Sequence, residues 1–171
     1  MISGFIPFLY YTRPSIAKPR VYKFFHALRT NEAASLPLGA AGFCWGGKHV
    51  FLLCSDSEKA SNGKSLIDCG FTAHPSNLAI PADAQTVSLP LSVAVGDVDM
   101  AMPIKQVKQM KKILEGKGRG EETHTVVIIP GAKHGFAVRA KPDDKVAVEQ
   151  GVKAEEQAVA WFNRWFGVGG Q

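Results

Sequence analysis

Four short apolar runs, separated by stretches of helical periodicity, constrain this chain more than any other feature. They are Leu38–Phe43 (LGAAGF), Leu66–Thr72 (LIDCGFT), Leu89–Val95 (LPLSVAV) and Thr123–Ile129 (THTVVII). Each is apolar nearly throughout rather than at every second position, the mark of strands buried on both faces. Pro90 falls only at the start of its run, where a missing N–H is tolerated. The intervening periodicity predicts helices. Lys48–Cys54 is one. Pro103–Leu114 is another, with Pro103 in its first turn and Val107, Met110 and Leu114 as its apolar stripe. Asp144–Phe166 is a long final helix, with Val148, Val152, Val159, Phe162 and Phe166 at helical spacing. The expected fold class is therefore α/β: a parallel sheet of about four strands covered by helices. Four strands are few for this architecture.

The chain has 171 residues, 46% of them hydrophobic and 20% charged, which suits one globular domain spanning 1–171. Residues 1–37, with Pro7, Pro14, Pro19 and Pro37, read as an irregular lead-in. Within it Val21–Arg29 is expected to form a short helix with Phe24, Phe25 and Leu28 on one face. No uninterrupted apolar run reaches the roughly 18 residues of a membrane span. The apolar stretch Ile2–Tyr11 lacks a basic leader and contains Pro7, so it reads as core or loop. The formal net charge of +5 favours small anionic substrates and is too weak by itself to indicate nucleic-acid binding. Lys105, Lys108, Lys111, Lys112, Lys117 and Arg119 read as a solvated helical face. Three cysteines with no CxxC pair argue against a disulfide scaffold or a structural zinc site, and make the reducing cytoplasm the default setting.

Chemistry concentrates in Gly42-Phe43-Cys44-Trp45-Gly46-Gly47, which leaves a strand and opens a helix. This is the G-x-S-x-G nucleophile turn with cysteine in the serine place. Small residues two before and two after the nucleophile are expected where strand and helix crowd together. The helix start places partial positive charge near the sulfur, and the Trp45 backbone N–H is a candidate oxyanion donor. Asp97 and Asp99 follow the third run, and His134 follows the fourth, in Gly131-Ala-Lys-His134-Gly-Phe136. The order nucleophile, acid, histidine is that of α/β-hydrolases. Each has a plain alternative. Cys44 reads also as a small buried hydrophobe, Asp99 as a turn carboxylate with Asp97 its rival, and His134 as a satisfied loop histidine. Cys54 and Cys69 are expected in the core, His49 and His74 as structural residues, and Trp45 first as a packing residue.

The segments GAAGFCWGGKHV (39–50), AHPS (73–76), PLSVAVGDVDMAMP (90–103) and PGAKHGFAVR (130–139) resemble the dienelactone hydrolase (carboxymethylenebutenolidase) family, especially its fungal members. The resemblance runs over about Leu38–Phe166. It implies a Cys-Asp-His triad at Cys44, Asp99 and His134, and a substrate-carboxylate contact at Arg139, which otherwise reads as a solvated arginine. It implies a small ester or enol-lactone substrate bearing a carboxylate, cleaved through an acyl-thioester with no cofactor or metal. Full-length members carry strands ahead of the turn, with a second oxyanion donor, that this chain does not show. The competing expectation is therefore a truncated, catalytically impaired hydrolase-like protein with a binding role or none.

Overall fold

The computed structural model describes residues 10–55, 58–118 and 123–167. Residues 2–9 of the apolar opening stretch and Arg119 of the basic face lie outside these. Helix α1 (Pro14–Thr30) leads into strand β1 (Gly39–Phe43) and helix α2 (Trp45–Leu53). Strand β2 (Cys69–Ala73), a short α3 (Ala82–Thr86), β3 (Leu91–Gly96), α4 (Ile104–Glu115), β4 (His124–Ile129) and α5 (Lys145–Phe166) follow. The strands form one four-stranded sheet in the order β1-β2-β3-β4, and every pairing is parallel.

Sequential order and parallel pairing together put all four carboxyl ends on one edge of the sheet. Phe43 pairs with Ala73, Ala73 with Ala94, and Gly96 with Ile129. The loops after the strands therefore stand side by side, the usual place for a ligand in an open α/β sheet. One face packs against α1, α2 and α4 through Tyr22, Val50, Phe51, Val93, Val107 and Met110. The other packs against α5 through Phe71, Ala94, Ile129, Ala154 and Trp161.

The lead-in is more regular than its prolines suggest. Pro14 stands at the start of α1, where its fixed φ and absent N–H cost nothing, and Pro19 is carried inside the helix. Phe24 is not on the inward face but 60% exposed; Tyr22 is buried instead and its hydroxyl donates to the Leu52 carbonyl at 2.9 Å. The loop ahead of β1 is held by Arg29, 1% exposed, whose guanidinium donates to Asp68 Oδ2 at 2.7 Å and to the Ser65 and Leu36 carbonyls. Asp68 also accepts the Leu38 N–H. One buried charge thus ties α1, the entry to β1 and the entry to β2.

The final helix turns inward only part of the expected stripe: Phe162 and Phe166 pack into the core on that side, the Phe162 ring 6.5 Å from that of Phe71, but the valines do not. Val148, Val152 and Val159 are exposed, and the buried line runs through Ala154, Trp161 and the half-buried Gln157, Ala158 and Trp165. Small residues let the helix approach the sheet, and Gln157 crosses to it, donating to Ser92 Oγ at 2.8 Å. A polar residue on the buried line and β-branched residues on the outer one blur the hydrophobic pattern ahead of the terminal aromatic residues.

Removing the Arg29 guanidinium strands several acceptors, so Arg29→Ala should lower unfolding stability by about 3 kcal/mol, read by urea denaturation; a change within error contradicts this anchor. Buried His74 and His124 are each held down to about 4, chiefly by burial, and His49 is lowered for the same cause. Their unfolded forms take up protons near pH 6.5, so stability falls as pH drops from there toward 4. His134 is raised and acts in the opposite sense, losing its part as pH rises through its folded value. With three groups against one, the melting temperature should drop between pH 7 and pH 5, and His124→Leu should reduce that drop.

Candidate active site

Each strand end delivers one part of the site. Cys44 follows β1, with φ 52° and ψ −118°, a conformation that strains any residue with a side chain. The turn is tight enough to impose it. A Cβ on Gly42 would stand 2.5 Å from the Gly46 carbonyl oxygen, and one on Gly47 would stand 2.7 Å from Pro75 Cβ and collide with Thr72. Gly46, the second motif glycine, has open space around it, so the crowding expected there falls on its neighbour Gly47.

The loop after β4 brings His134 Nε2 to 3.0 Å from Cys44 Sγ. The loop after β3 supplies Asp99, 4% exposed, whose carboxylate lies 2.9 and 3.0 Å from His134 Nδ1. Asp97 takes another task, accepting the Gly131 N–H at 2.7 Å and bracing the His134 loop. The structure thus brings Cys44, His134 and Asp99 together and leaves Asp97 outside. Arg139 is exposed, and its backbone N–H donates to the Gly135 carbonyl at 3.0 Å. The Trp45 indole N–H donates to the Thr12 carbonyl at 3.0 Å while the ring packs on His49.

The loop after β2 adds Ser76, to which the sequence reading gave no role, and His74, expected as a structural residue. Ser76 Oγ lies 3.7 Å from Cys44 Sγ, and the Ser76 N–H donates to the Cys44 carbonyl at 3.0 Å. His74, 1% exposed and at φ 40°, sets its ring 5.0 Å from that of His134, with neither ring nitrogen hydrogen-bonded. Both lie in the AHPS segment, whose place in the resemblance was the available signal.

The three cysteines differ in electrostatics. Burial pushes Cys69 up to about 12 and Cys54 higher still. Burial also opposes ionisation of Cys44, but bonds from His134, Ser76 and the Trp45 N–H outweigh it and hold the thiol below its ordinary value. Burial disfavours charged His134 as well, and there the bonds to Cys44 and Asp99 prevail and raise it. Both shifts favour a thiolate–imidazolium pair. Cys44 borders a hollow of about 290 Å³ together with Arg13, Trp45, Lys48, His49 and Ser76. His134 borders another of about 290 Å³ with Lys133, Phe136 and Arg139. Among the described residues, no group of three or more His, Cys, Asp or Glu is set to hold a metal ion. No described helix is long and apolar enough to cross a membrane.

The crowding makes a paired prediction. Gly47→Ala should lose stability by roughly 1–3 kcal/mol and slow Cys44 alkylation, whereas Gly46→Ala should leave the unfolding midpoint near that of the parent. Equal effects of the two on urea unfolding would contradict the assignment.

The dienelactone hydrolase family model matches residues 14–167. A Methylorubrum extorquens protein provisionally named carboxymethylenebutenolidase is 26% identical over 141 residues, covering 80% of this chain and 46% of that protein. The chain thus spans about half the length of this relative. A crystal structure from Klebsiella pneumoniae subsp. pneumoniae, provisionally named dienelactone hydrolase, superposes with a TM-score of 0.56 at 21% identity, covering 74% of this chain and 52% of that one. An esterase of Pyrococcus furiosus gives a TM-score of 0.60 at 13% identity, over 84% and 60% of the two chains. These likenesses show an α/β-hydrolase-type fold. With its family model matched from the first turn of α1 to the end of α5, this chain belongs to the dienelactone hydrolase family.

Proposed function

We propose that this protein cleaves a small ester or enol-lactone with Cys44 as nucleophile, His134 as acid and base, and Asp99 as the group that orients and charges His134. The supporting observation is the chain of contacts from the Cys44 sulfur to Nε2 at 3.0 Å and from Nδ1 to the Asp99 carboxylate at 2.9 Å. In the resting pair the proton of Cys44 sits on His134. The thiolate attacks the carbonyl carbon, forming the S–C bond, and charge collects on the carbonyl oxygen, where the Trp45 N–H is placed to donate. The C–O bond to the leaving group breaks and Nε2 gives that oxygen its proton. His134 then takes a proton from water, the resulting hydroxide attacks the thioester, and acid and thiolate are released.

An anionic substrate fits the charges around the site. Arg13 lies at the hollow beside Cys44, and Arg139 and Lys133 lie at the hollow beside His134. We assign Arg139, whose planar guanidinium suits a carboxylate, to substrate binding. A reducing setting such as the cytoplasm suits a thiolate nucleophile accompanied by two further unpaired cysteines.

Purified protein should hydrolyse p-nitrophenyl acetate or a dienelactone, and Cys44→Ala should abolish turnover; activity surviving Cys44→Ala rules the proposal out. Asp99→Asn should lower kcat by roughly 100-fold or more. The rate should plateau between two pKa values, falling at low pH as the thiolate is protonated and at high pH as imidazolium loses its proton. Because Cys44 is lowered and His134 raised, the acid limb should lie below the ordinary thiol value, and an acid limb near 8.5 would contradict the ion pair.

A further inference from the structure

We propose that Ser76 is a catalytic contact of the same reaction: its hydroxyl donates to the Cys44 sulfur, holds it as thiolate, and leaves His134 free to direct its proton to the leaving group. This rests on Cys44 being the nucleophile. The geometry comes from two contacts between the turn after β2 and the turn after β1. Ser76 Oγ is 3.7 Å from Sγ, and the Ser76 N–H is fixed on the Cys44 carbonyl at 3.0 Å. The second contact sets the position of the first, because the residue that carries the hydroxyl is held by the nucleophile's own backbone.

The surroundings leave this role open to Ser76. His134 approaches the sulfur from the loop after β4 with Asp99 behind it. Of the cations on the hollow, Lys48 is engaged with Asp83 at 2.6 Å, and Arg13 stacks over the Tyr10 ring at 4.0 Å. His49 packs on Trp45 and is lowered, chiefly by burial, so it carries no charge near neutrality. His74 is lowered as well and contacts His134 rather than the sulfur. The side chains within hydrogen-bond reach of Cys44 Sγ, among the described residues, are therefore the imidazole and the Ser76 hydroxyl.

Ser76 keeps its own proton throughout. Its bond is strongest while the sulfur is anionic and weakens when the S–C bond forms and the sulfur becomes neutral. The hydroxyl therefore sets the fraction of thiolate at a given pH while moderating its nucleophilicity, since a more stabilised thiolate attacks more slowly.

The test is the pH dependence of iodoacetamide alkylation, followed by mass spectrometry on the Cys44 peptide, with Cys44→Ala as blank. Ser76→Ala should move the midpoint upward by about one unit. Ser76→Thr and Ser76→Val share a shape and differ by the hydroxyl, so Thr should stay near the parent and Val should move with Ala. This pair reads the effect even if Ala disturbs the loop, and cooperative urea unfolding confirms that each variant is folded. One common midpoint for parent, Thr and Val overturns the role of Ser76. A parent midpoint at the ordinary thiol value overturns the nucleophile itself, so the two failures are distinguishable.

Discussion

The site depends on how closely β1 and α2 approach one another at Cys44. The backbone there adopts a positive φ that a side chain normally avoids. Gly42, with no room for a Cβ against the Gly46 carbonyl, lets β1 and α2 close over it, and Gly47, with none against Thr72 and Pro75, lets α2 close on the end of β2. The strain, of order 1–3 kcal/mol, is met by the packing of α2 against the sheet through Val50, Phe51 and Leu53. Its result is a sulfur raised above the sheet edge at the first turn of a helix. There the imidazole reaches it from the loop after β4 and the Ser76 hydroxyl from the loop after β2.

Topology supplies what the turn cannot. Cys44 and His134 follow the two outer strands, β1 and β4, and meet above the ends of the two inner ones. His74 leaves β2 beneath that contact and sets its neutral ring against His134. A buried imidazole with unpaired nitrogens in a strained conformation is costly, and such residues concentrate where geometry has a function. Asp99 leaves β3 and reaches Nδ1, while its neighbour Asp97 pins the loop that carries His134. The four loops thus divide the work of holding one imidazole in place.

The parts of this arrangement visible in the sequence were those encoded by local spacing. The glycine pattern around Cys44, the apolar runs and the chain order of cysteine, aspartate and histidine are all linear features. Ser76 and His74 were silent because their roles arise from contacts across the sheet, 32 residues from Cys44 and 60 from His134 along the chain. Between Asp97 and Asp99 spacing alone did not decide; the family resemblance pointed to Asp99, the carboxylate that lies against His134. Helix α1 was obscured by Pro14, which a helix admits at its start, and by Pro19, which this one carries in its interior. On α5, the valines mimicked an inward stripe, while the actual inward line joins the expected Phe162 and Phe166 to alanine, glutamine and tryptophan. Pattern identifies a helix more securely than the face it buries when small and polar residues make the contact.

The central claim is that one sulfur carries the acyl group between attack and hydrolysis. Its most direct test is to mix the protein with p-nitrophenyl acetate, quench in acid within the first turnover and map the product by mass spectrometry. The account predicts one acetyl group on the peptide containing Cys44, removed by neutral hydroxylamine. Ester cleavage in which Cys44 stays unmodified at every quench time, or an acetyl group residing on another side chain, would contradict it.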